Sequence, residues 1–213
     1  MRKILLLAVL AAVSFASCKK TVNDVSTEVT VSFPIISFGG ASPYYSIPVG
    51  GSLPAIQATA QDTFYKEYDS VLIDKSTLDN TTPGLYIVTA SARNKYGFTS
   101  YASIYVAVTN VNSSYNYGGK WYRALTNDTV TVTKLGTGLY HTNDLLGNPN
   151  AIVPAYFVQL DDTTLSIPSQ DGGSFGSISG DKAKIYATPM DTTMQYIVVG
   201  TGIGTSVRRF VKL

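Results

Sequence analysis

Short runs of β-branched and aromatic residues, separated by turns rich in Gly, Pro and Asn, form the dominant pattern of the chain. Such runs of four to ten residues between turn residues are typical of strands. In the first half the predicted strands are 29–38, 53–60, 70–73, 85–92 and 99–108. Their even spacing predicts a β-sandwich.

The second half continues the pattern as an antiparallel meander of about eight strands. The predicted strands are 120–125, 129–134, 139–142, 153–160, 164–167, 174–179, 182–187, 195–199 and 206–213, with tight turns at Asp161-Asp162, Gly172-Gly173, Gly180-Asp181 and 200–204. About eight strands are enough to close a barrel, and a second sandwich is the alternative. The polar, aperiodic segment 111–119 is predicted to link the two halves.

Composition supports an all-β fold and narrows the possible partners. Only 14% of the 213 residues are charged, which argues against coiled coils, helical bundles and charged disordered tails. The net charge of +2 comes from Arg2 and Lys3, and the remaining basic residues balance the acidic ones. Without a basic surface, nucleic acid is not expected as a partner.

The N-terminus carries the pattern of an export signal. Arg2 and Lys3 precede a ten-residue apolar run, 4–13, that is too short to span a bilayer. The segment 1–17 then ends in Phe15-Ala16-Ser17 before Cys18, which resembles the lipobox of Bacteroidota lipoproteins. Acylation of Cys18 would anchor the protein to a membrane, with 18–27 as the tether.

The residue after the lipidated cysteine bears on the location. Because Lys19 follows Cys18, the Asp that often retains such proteins in the inner membrane is missing, and the resemblance implies the outer membrane. The cell surface and the periplasmic face both stay open. Cys18 is the sole cysteine, so no intramolecular disulfide can form. The alternative is an incidental Cys in an ordinary signal peptide.

A motif in the first half resembles bacterial immunoglobulin-like modules. It comprises the run 84–88, Gly-Leu-Tyr-Ile-Val, followed by Ala92-Arg93-Asn94 and Gly97. The resemblance implies an immunoglobulin-like sandwich over 28–110 that serves as a spacer or adhesive module. Tyr86 is expected to return its hydroxyl to the backbone as a tyrosine corner does, and Gly97 to supply a positive φ.

The second half, 120–213, is similar to the calycin or lipocalin barrels. Gly119-Lys120-Trp121 opens the first strand and Arg208-Arg209 lies on the last. In that family the Trp plugs one barrel end and an Arg packs across it. Alternation with Val207 and Val211 predicts that Arg209 is the inward residue. The alternative for Trp121 is an exposed ring that stacks on sugars.

Catalytic patterns are not found. Glu28 and Glu67 are the only glutamates, and the Asp residues of the second half lie in turn-like surroundings. His141 is the sole histidine, which excludes a His-rich metal site, and neither a nucleophile elbow nor a phosphate-binding loop occurs. We expect no enzyme activity, no metal and no cofactor.

Tyrosines supply the candidate binding residues. Tyr44 and Tyr45 are predicted in a turn, and Tyr115, Tyr117 and Trp121 lie at the junction of the two halves. Flat aromatic rings stack on sugar C–H faces, so we expect a non-catalytic glycan-binding module and a polysaccharide partner. Alternatives are adhesion to a partner outer-membrane protein, a small apolar ligand in the barrel, and packing of Tyr115 and Tyr117 between the domains.

Four tripeptides of the form Asp-[Ser/Thr]-[Val/Thr] resemble the O-glycosylation sequon of exported Bacteroidota proteins. Their hydroxyl residues are Ser70, Thr129, Thr163 and Thr192. Modification of at least one of them is expected from the resemblance. The alternative is ordinary turn chemistry, because Asp-Thr at a strand entrance caps backbone N–H groups.

Overall fold

Three β-sheets account for the regular structure of a computed structural model that describes residues 30–40 and 42–213. The predicted signal segment, the tether and Cys18 lie outside the described residues. The all-β prediction is confirmed, with a single short 3₁₀ turn at Gly173–Phe175 besides the strands in the described part of the chain. No helix of that part is long and apolar enough to cross a bilayer.

The first half forms two small sheets. A three-stranded sheet has the order β1-β3-β4, and a four-stranded sheet has the order β2-β7-β6-β5. Their strands are β1 (Ile35–Ser37), β2 (Tyr44–Ile47), β3 (Thr59–Asp62), β4 (Glu67–Asp69), β5 (Val71–Asp74), β6 (Gly84–Arg93) and β7 (Thr99–Val108). β2 pairs with β7 in parallel, and the other pairs are antiparallel.

The β6–β7 hairpin is the centre of this half. Its ten-residue strands alternate, so that Val88 and Ala90 of β6 face Ile104 and Val106 of β7 in a core without exposed surface. The connecting turn uses Gly97 at φ 92°, a conformation that favours glycine. At the other end, the Tyr86 hydroxyl donates to the Thr82 carbonyl at 2.9 Å, in the tyrosine-corner arrangement.

A buried Asp–Asn pair joins the two small sheets. Asp62 of β3 accepts hydrogen bonds from Asn94 Nδ2, Ser32 Oγ and two backbone amides, and Asn94 Oδ1 accepts from the amides of the hairpin turn. Burial raises the pKa of the Asp62 carboxyl, but these hydrogen bonds outweigh it and hold the pKa below its usual range. The pair therefore fixes the β6–β7 turn to the neighbouring sheet.

The second half forms one nine-stranded curled sheet. Its strands are β8 (Gly119–Arg123), β9 (Asp128–Gly136), β10 (Leu139–Thr142), β11 (Ala155–Gln159), β12 (Leu165–Ser166), β13 (Gln170–Asp171), β14 (Ser177–Ala187), β15 (Thr192–Gly200) and β16 (Val207–Lys212). They lie in the order β12-β11-β10-β9-β8-β16-β15-β14-β13. A bridge between Thr164 and Lys184, and the Ile185 amide donating to the Thr163 carbonyl at 2.8 Å, join the β12 end of the curled sheet to β14.

Two predicted turns lie in strands instead. Gly180-Asp181 is not a turn: it lies inside β14, where the register shifts between Asp181 and Lys184 and Lys182 has φ 53°. Glycine marks bulges as well as turns, so composition alone does not separate them. Tyr44-Tyr45 also lies in a strand, because the run is extended by parallel pairing with β7.

Large aromatic side chains fill the interior of the curled sheet. Trp121, Tyr140, Phe157, Tyr196 and Phe210 have at most 2% of their surface exposed. The Trp121 indole N–H donates to the Tyr117 carbonyl at 2.9 Å, which satisfies its one polar atom. Trp121 therefore packs as a core residue of the curled sheet.

The inward arginine of the last strand is Arg208 rather than Arg209. Arg208 and Phe210 are buried on the same face, whereas Val207 is 55% exposed and Arg209 is exposed with it. The sequence prediction takes Val207 as an inward residue and so places Arg209 inward with it; in the structure the inward positions are one residue further along, at Arg208 and Phe210. Opposite Trp121 the last strand places Lys212, so no arginine of the pair occupies that register position.

The two halves pack through a small apolar cluster. Ala107 of β7 contacts Leu139 of β10 and Val158 of β11, and none of the three has exposed surface. The Thr109 hydroxyl adds a 2.6 Å hydrogen bond to the Gln159 carbonyl. Among the described strands each half pairs only with itself, yet residues 32–213 form one compact unit. The division into domains at 110 and 120 stays a prediction.

We predict that Gly138→Ala destabilises this contact more than a matched glycine change elsewhere. Gly138 has φ 69°, and an added Cβ would lie 2.9 Å from Thr109 Cγ2. Gly202 has φ 72° with nothing within 4 Å of such a Cβ. Gly202→Ala should cost about 1 kcal/mol of unfolding free energy for backbone strain, and Gly138→Ala a further 1–3 kcal/mol or so for overpacking. Urea unfolding of both variants measures the difference, and equal losses would contradict the close contact.

Candidate functional site

Three tyrosines meet where the halves pack. The rings of Tyr105 and Tyr156 stack with centroids 4.0 Å apart, and Tyr44 lies 5.7 Å from Tyr105 and 5.9 Å from Tyr156. The Tyr44 and Tyr156 hydroxyls share a hydrogen bond of 3.2 Å. All three are half-buried, so they join packing surface to a polar edge.

Two strand registers bring these rings together. The parallel pairing of β2 with β7 places Tyr44 beside Tyr105, and the antiparallel pairing of β10 with β11 places His141 beside Tyr156. Side chains at paired positions lie on the same face of a sheet. The imidazole of His141 accordingly lies 4.7 Å from the Tyr156 ring centroid.

Tyr105, His141 and Tyr156 line a cleft of about 460 Å³, here called the tyrosine cleft. One wall consists of Leu85, Ile87 and Tyr105 from the four-stranded sheet, and the other of His141, Pro154 and Tyr156 from the curled sheet. The segment Pro168, Ser169, Gln170 and Asp171 completes the lining. Apolar walls with a few polar groups, at a volume of roughly 300–1,000 Å³, are typical of small-ligand sites.

Gln170 fixes the position of Tyr156. Its side-chain carbonyl accepts from the Tyr156 amide at 2.7 Å, and its side-chain amide donates to the Tyr156 carbonyl at 2.9 Å. The Gln170 side chain thus makes the pair of hydrogen bonds with the Tyr156 backbone that a neighbouring strand would otherwise make. Because both backbone groups of Tyr156 are satisfied, its ring is held against Tyr105.

The cleft is electrically neutral over most of its lining. Burial lowers the pKa of the His141 imidazole below its ordinary value of 6.5, so the ring is uncharged at neutral pH. Burial, followed by the hydrogen bond with Tyr44, raises the pKa of the Tyr156 phenol well above its ordinary value. The walls therefore offer neutral hydroxyl and imidazole groups for hydrogen bonding.

The predicted binding tyrosines fall in two separate places. Tyr44 contacts Tyr105 and Tyr156 without lining the cleft itself, whereas Tyr45 packs against the core of the first half. Of this pair only Tyr44 is near the cleft. Side chains at neighbouring positions of a strand point to opposite faces of the sheet, so Tyr44 and Tyr45 lie on different sides of it.

Tyr115, Tyr117 and Trp121 belong to the interior of the curled sheet. Tyr117 is 7% exposed and stacks on Tyr115 with centroids 6.0 Å apart, and Trp121 has no exposed surface. A ring covered by protein on both faces cannot stack on a sugar, so Tyr117 and Trp121 lie outside any surface site. Tyr115 and Tyr117 also pack within one half rather than between the halves, because the contact cluster is formed by other residues.

The remaining expectations concern acidic and modifiable residues. Asp144 accepts backbone hydrogen bonds from Leu146, Asn148 and Val153, so its carboxylate is used in organising a turn. No group of three His, Cys, Asp or Glu side chains suited to a metal occurs in the described ranges. Ser70, Thr129 and Thr163 are exposed and Thr192 is half-buried. Their glycosylation stays a prediction.

Sequence reasoning missed Tyr105, Tyr156 and Gln170. For Tyr105 the sequence does offer an indication, because Tyr101, Ser103 and Tyr105 occupy alternate positions and therefore share one face of a predicted strand. Tyr156 lies in the apolar run 153–160, where period-2 alternation does not identify the outward residues. Gln170 precedes a Gly-rich turn, and nothing local indicates its contact with β11.

The fold and the cleft together define an all-β protein in which a curled nine-stranded sheet and a smaller sandwich-like half enclose an aromatic cleft. No protein-family model and no curated protein matches this chain. Among solved structures the chain is similar to the crystal structure of a lipoprotein from Bacteroides thetaiotaomicron. The two are 19% identical, the TM-score is 0.40, and the match covers 85% of this chain and 100% of the other.

We predict that His141 titrates below 6.5 in the folded protein. Because His141 is the sole histidine, its imidazole resonances can be followed by proton NMR as the pH changes without overlap from other histidines. The same titration of the urea-unfolded chain, expected to have its midpoint at about 6.5, gives the reference value. Because the pKa of His141 is lower in the folded state, the unfolded chain takes up a proton at a higher pH than the folded protein does. The free energy of unfolding therefore decreases as the pH drops from about 6.5 towards the pKa of His141 in the folded state. A folded midpoint at or above that of the unfolded chain would contradict the burial of His141.

Proposed function

We propose that the protein is a non-catalytic, lipid-anchored binding protein of the bacterial cell envelope, and that the tyrosine cleft takes carbohydrate. The observation that carries the proposal is the cleft, whose lining combines two stacked tyrosine rings and two prolines with the polar side chains of Ser169, Gln170 and Asp171. Sugars present C–H faces beside hydroxyl groups, and this arrangement offers a complementary surface to both.

Binding is favoured over hydrolysis by the content of the cleft. Asp171 is the one carboxylate among the described residues that line it, and its side chain accepts a 2.8 Å hydrogen bond from the Gly173 amide. Glycoside hydrolysis ordinarily uses a pair of carboxylates placed on either side of the bond. A site with one carboxylate supports capture of a sugar rather than its cleavage.

The cleft is a better location for the ligand than the interior of the curled sheet. Trp121, Tyr140, Phe157 and Phe210 already fill that interior at close packing. A small apolar ligand would have to displace these side chains. Adhesion to a partner protein remains the second function, and it predicts binding without any sugar requirement.

We predict that Ile87→Trp blocks sugar binding. Ile87 is 39% exposed in the cleft wall, so an indole can extend into the cleft without disturbing the core. The matched control is Val199→Trp, which changes a residue of β15 that is 49% exposed and outside the cleft lining. After a glycan array has identified an oligosaccharide, titration calorimetry should show at least about tenfold weaker binding by Ile87→Trp alone.

The possible results separate the alternatives. Unchanged affinity in Ile87→Trp, with Val199→Trp also unchanged, would mean that the sugar binds outside the cleft. Absence of binding to every glycan on the array would contradict the carbohydrate proposal and favour the partner-protein function.

The proposed anchor has its own test. We predict that the protein purified from its native host begins at an acylated Cys18, as intact-mass measurement would show, and that Cys18→Ser releases it from membranes. Acyl chains contribute roughly 0.8 kcal/mol per buried CH2, so anchoring should be essentially permanent in the parent. Thr21→Ser is the matched control and should stay membrane-bound. A free, unacylated Cys18 would contradict the anchor.

A further inference from the structure

The outward face of the four-stranded sheet continues beyond the tyrosine cleft. Along β7, Tyr101, Ser103 and Tyr105 point to the same side, and Tyr105 is the residue that lines the cleft. Ala107, next in this series, is covered by the curled sheet. Tyr101 at the other end is 72% exposed. Along this face of β7, Ala107 is covered by the curled sheet, Tyr105 lines the cleft and Tyr101 is exposed to solvent.

Strand pairing extends this open face across three strands. Leu72 of β5, Ser91 of β6 and Tyr101 of β7 form one row. Asp74, Thr89 and Ser103 form the next row, towards the cleft. We call these six residues the outer platform. The following positions on the face are Ile87 and Tyr105, which belong to the cleft wall.

The chemistry of the outer platform matches that of the cleft. It offers one aromatic ring, one aliphatic side chain, four hydroxyl groups and one carboxylate. Asp74 accepts a 2.9 Å hydrogen bond from the Ser76 amide. Hydrogen bonding by Ser76 lowers the pKa of the Asp74 carboxyl, so Asp74 is ionised at neutral pH. No Lys or Arg is among the described residues of the outer platform or of the cleft lining. The charges on these residues are the carboxylates Asp74 and Asp171, which disfavour an anionic polymer and leave a neutral one unaffected. The exposed Arg93 is the next residue of β6 on this face and lies one row beyond Tyr101.

The length of this surface exceeds that of a single sugar ring. Tyr105 lies four steps of extended strand beyond Tyr101, which corresponds to roughly 13 Å. We propose that the ligand of the tyrosine cleft is an extended neutral polysaccharide, and that its chain leaves the cleft over Tyr105 and crosses the outer platform to Tyr101. This inference rests on the proposed carbohydrate function and specifies its substrate class.

Chain length and Tyr101 provide the test. Calorimetry compares neutral oligosaccharides of one linkage, from the disaccharide to the hexasaccharide, on the parent protein, on Tyr101→Ala and on Tyr68→Ala. Tyr68 is the control, because it is 77% exposed on β4 of the other small sheet. We expect affinity to rise with length in the parent, and Tyr101→Ala to weaken hexasaccharide binding by roughly 3- to 10-fold while leaving the disaccharide unchanged.

The outcomes distinguish this inference from the function on which it rests. Binding that is independent of length and unaffected by Tyr101→Ala would overturn the extended-chain proposal and leave a cleft for short sugars. Tighter binding of an acidic polysaccharide, such as polygalacturonate, would overturn the preference for a neutral chain. Failure of every oligosaccharide to bind would instead overturn the carbohydrate function itself.

Discussion

The packing of Ala107 against Leu139 and Val158 is the contact on which the rest of the arrangement depends. It covers only one end of the outward face of the β6–β7 hairpin, and the small side chain of Ala107 allows close approach of the curled sheet. The tyrosine cleft lies at the edge of this contact. A more extensive contact would fill the cleft, and a looser one would separate its two walls.

The cleft is the product of two strand registers that the contact brings face to face. One register pairs Tyr44 with Tyr105, and the other pairs His141 with Tyr156. A slip of one residue in either register would turn the ring to the opposite face of its sheet. The two hydrogen bonds between the Gln170 side chain and the Tyr156 backbone, one accepted and one donated by Gln170, oppose such slips together with the Tyr44–Tyr156 hydroxyl contact. The same groups that shape the site therefore also stabilise its registers.

The interior and the exterior of the curled sheet have different roles. Its interior is occupied by aromatic side chains, with Trp121 satisfied by a backbone carbonyl, so it supplies rigidity. The tyrosine cleft, which is the proposed binding surface, lies outside this interior, where residues of both halves present tyrosine, proline and hydroxyl groups. The proposed ligand is therefore placed beside the curled sheet and not inside it.

Local chemistry was readable from the sequence, and pairing between distant segments was not. The all-β class, most strands, the Gly97 turn and the Tyr86 corner depend on residues within a few positions of one another. The strand at Tyr44 forms only by pairing with β7, and burial of Arg208 instead of Arg209 follows from which neighbours cover the last strand. The cleft joins residues as far apart in the chain as Leu85 and Asp171, because its walls come from different sheets. Only the tertiary contact decides that these walls meet.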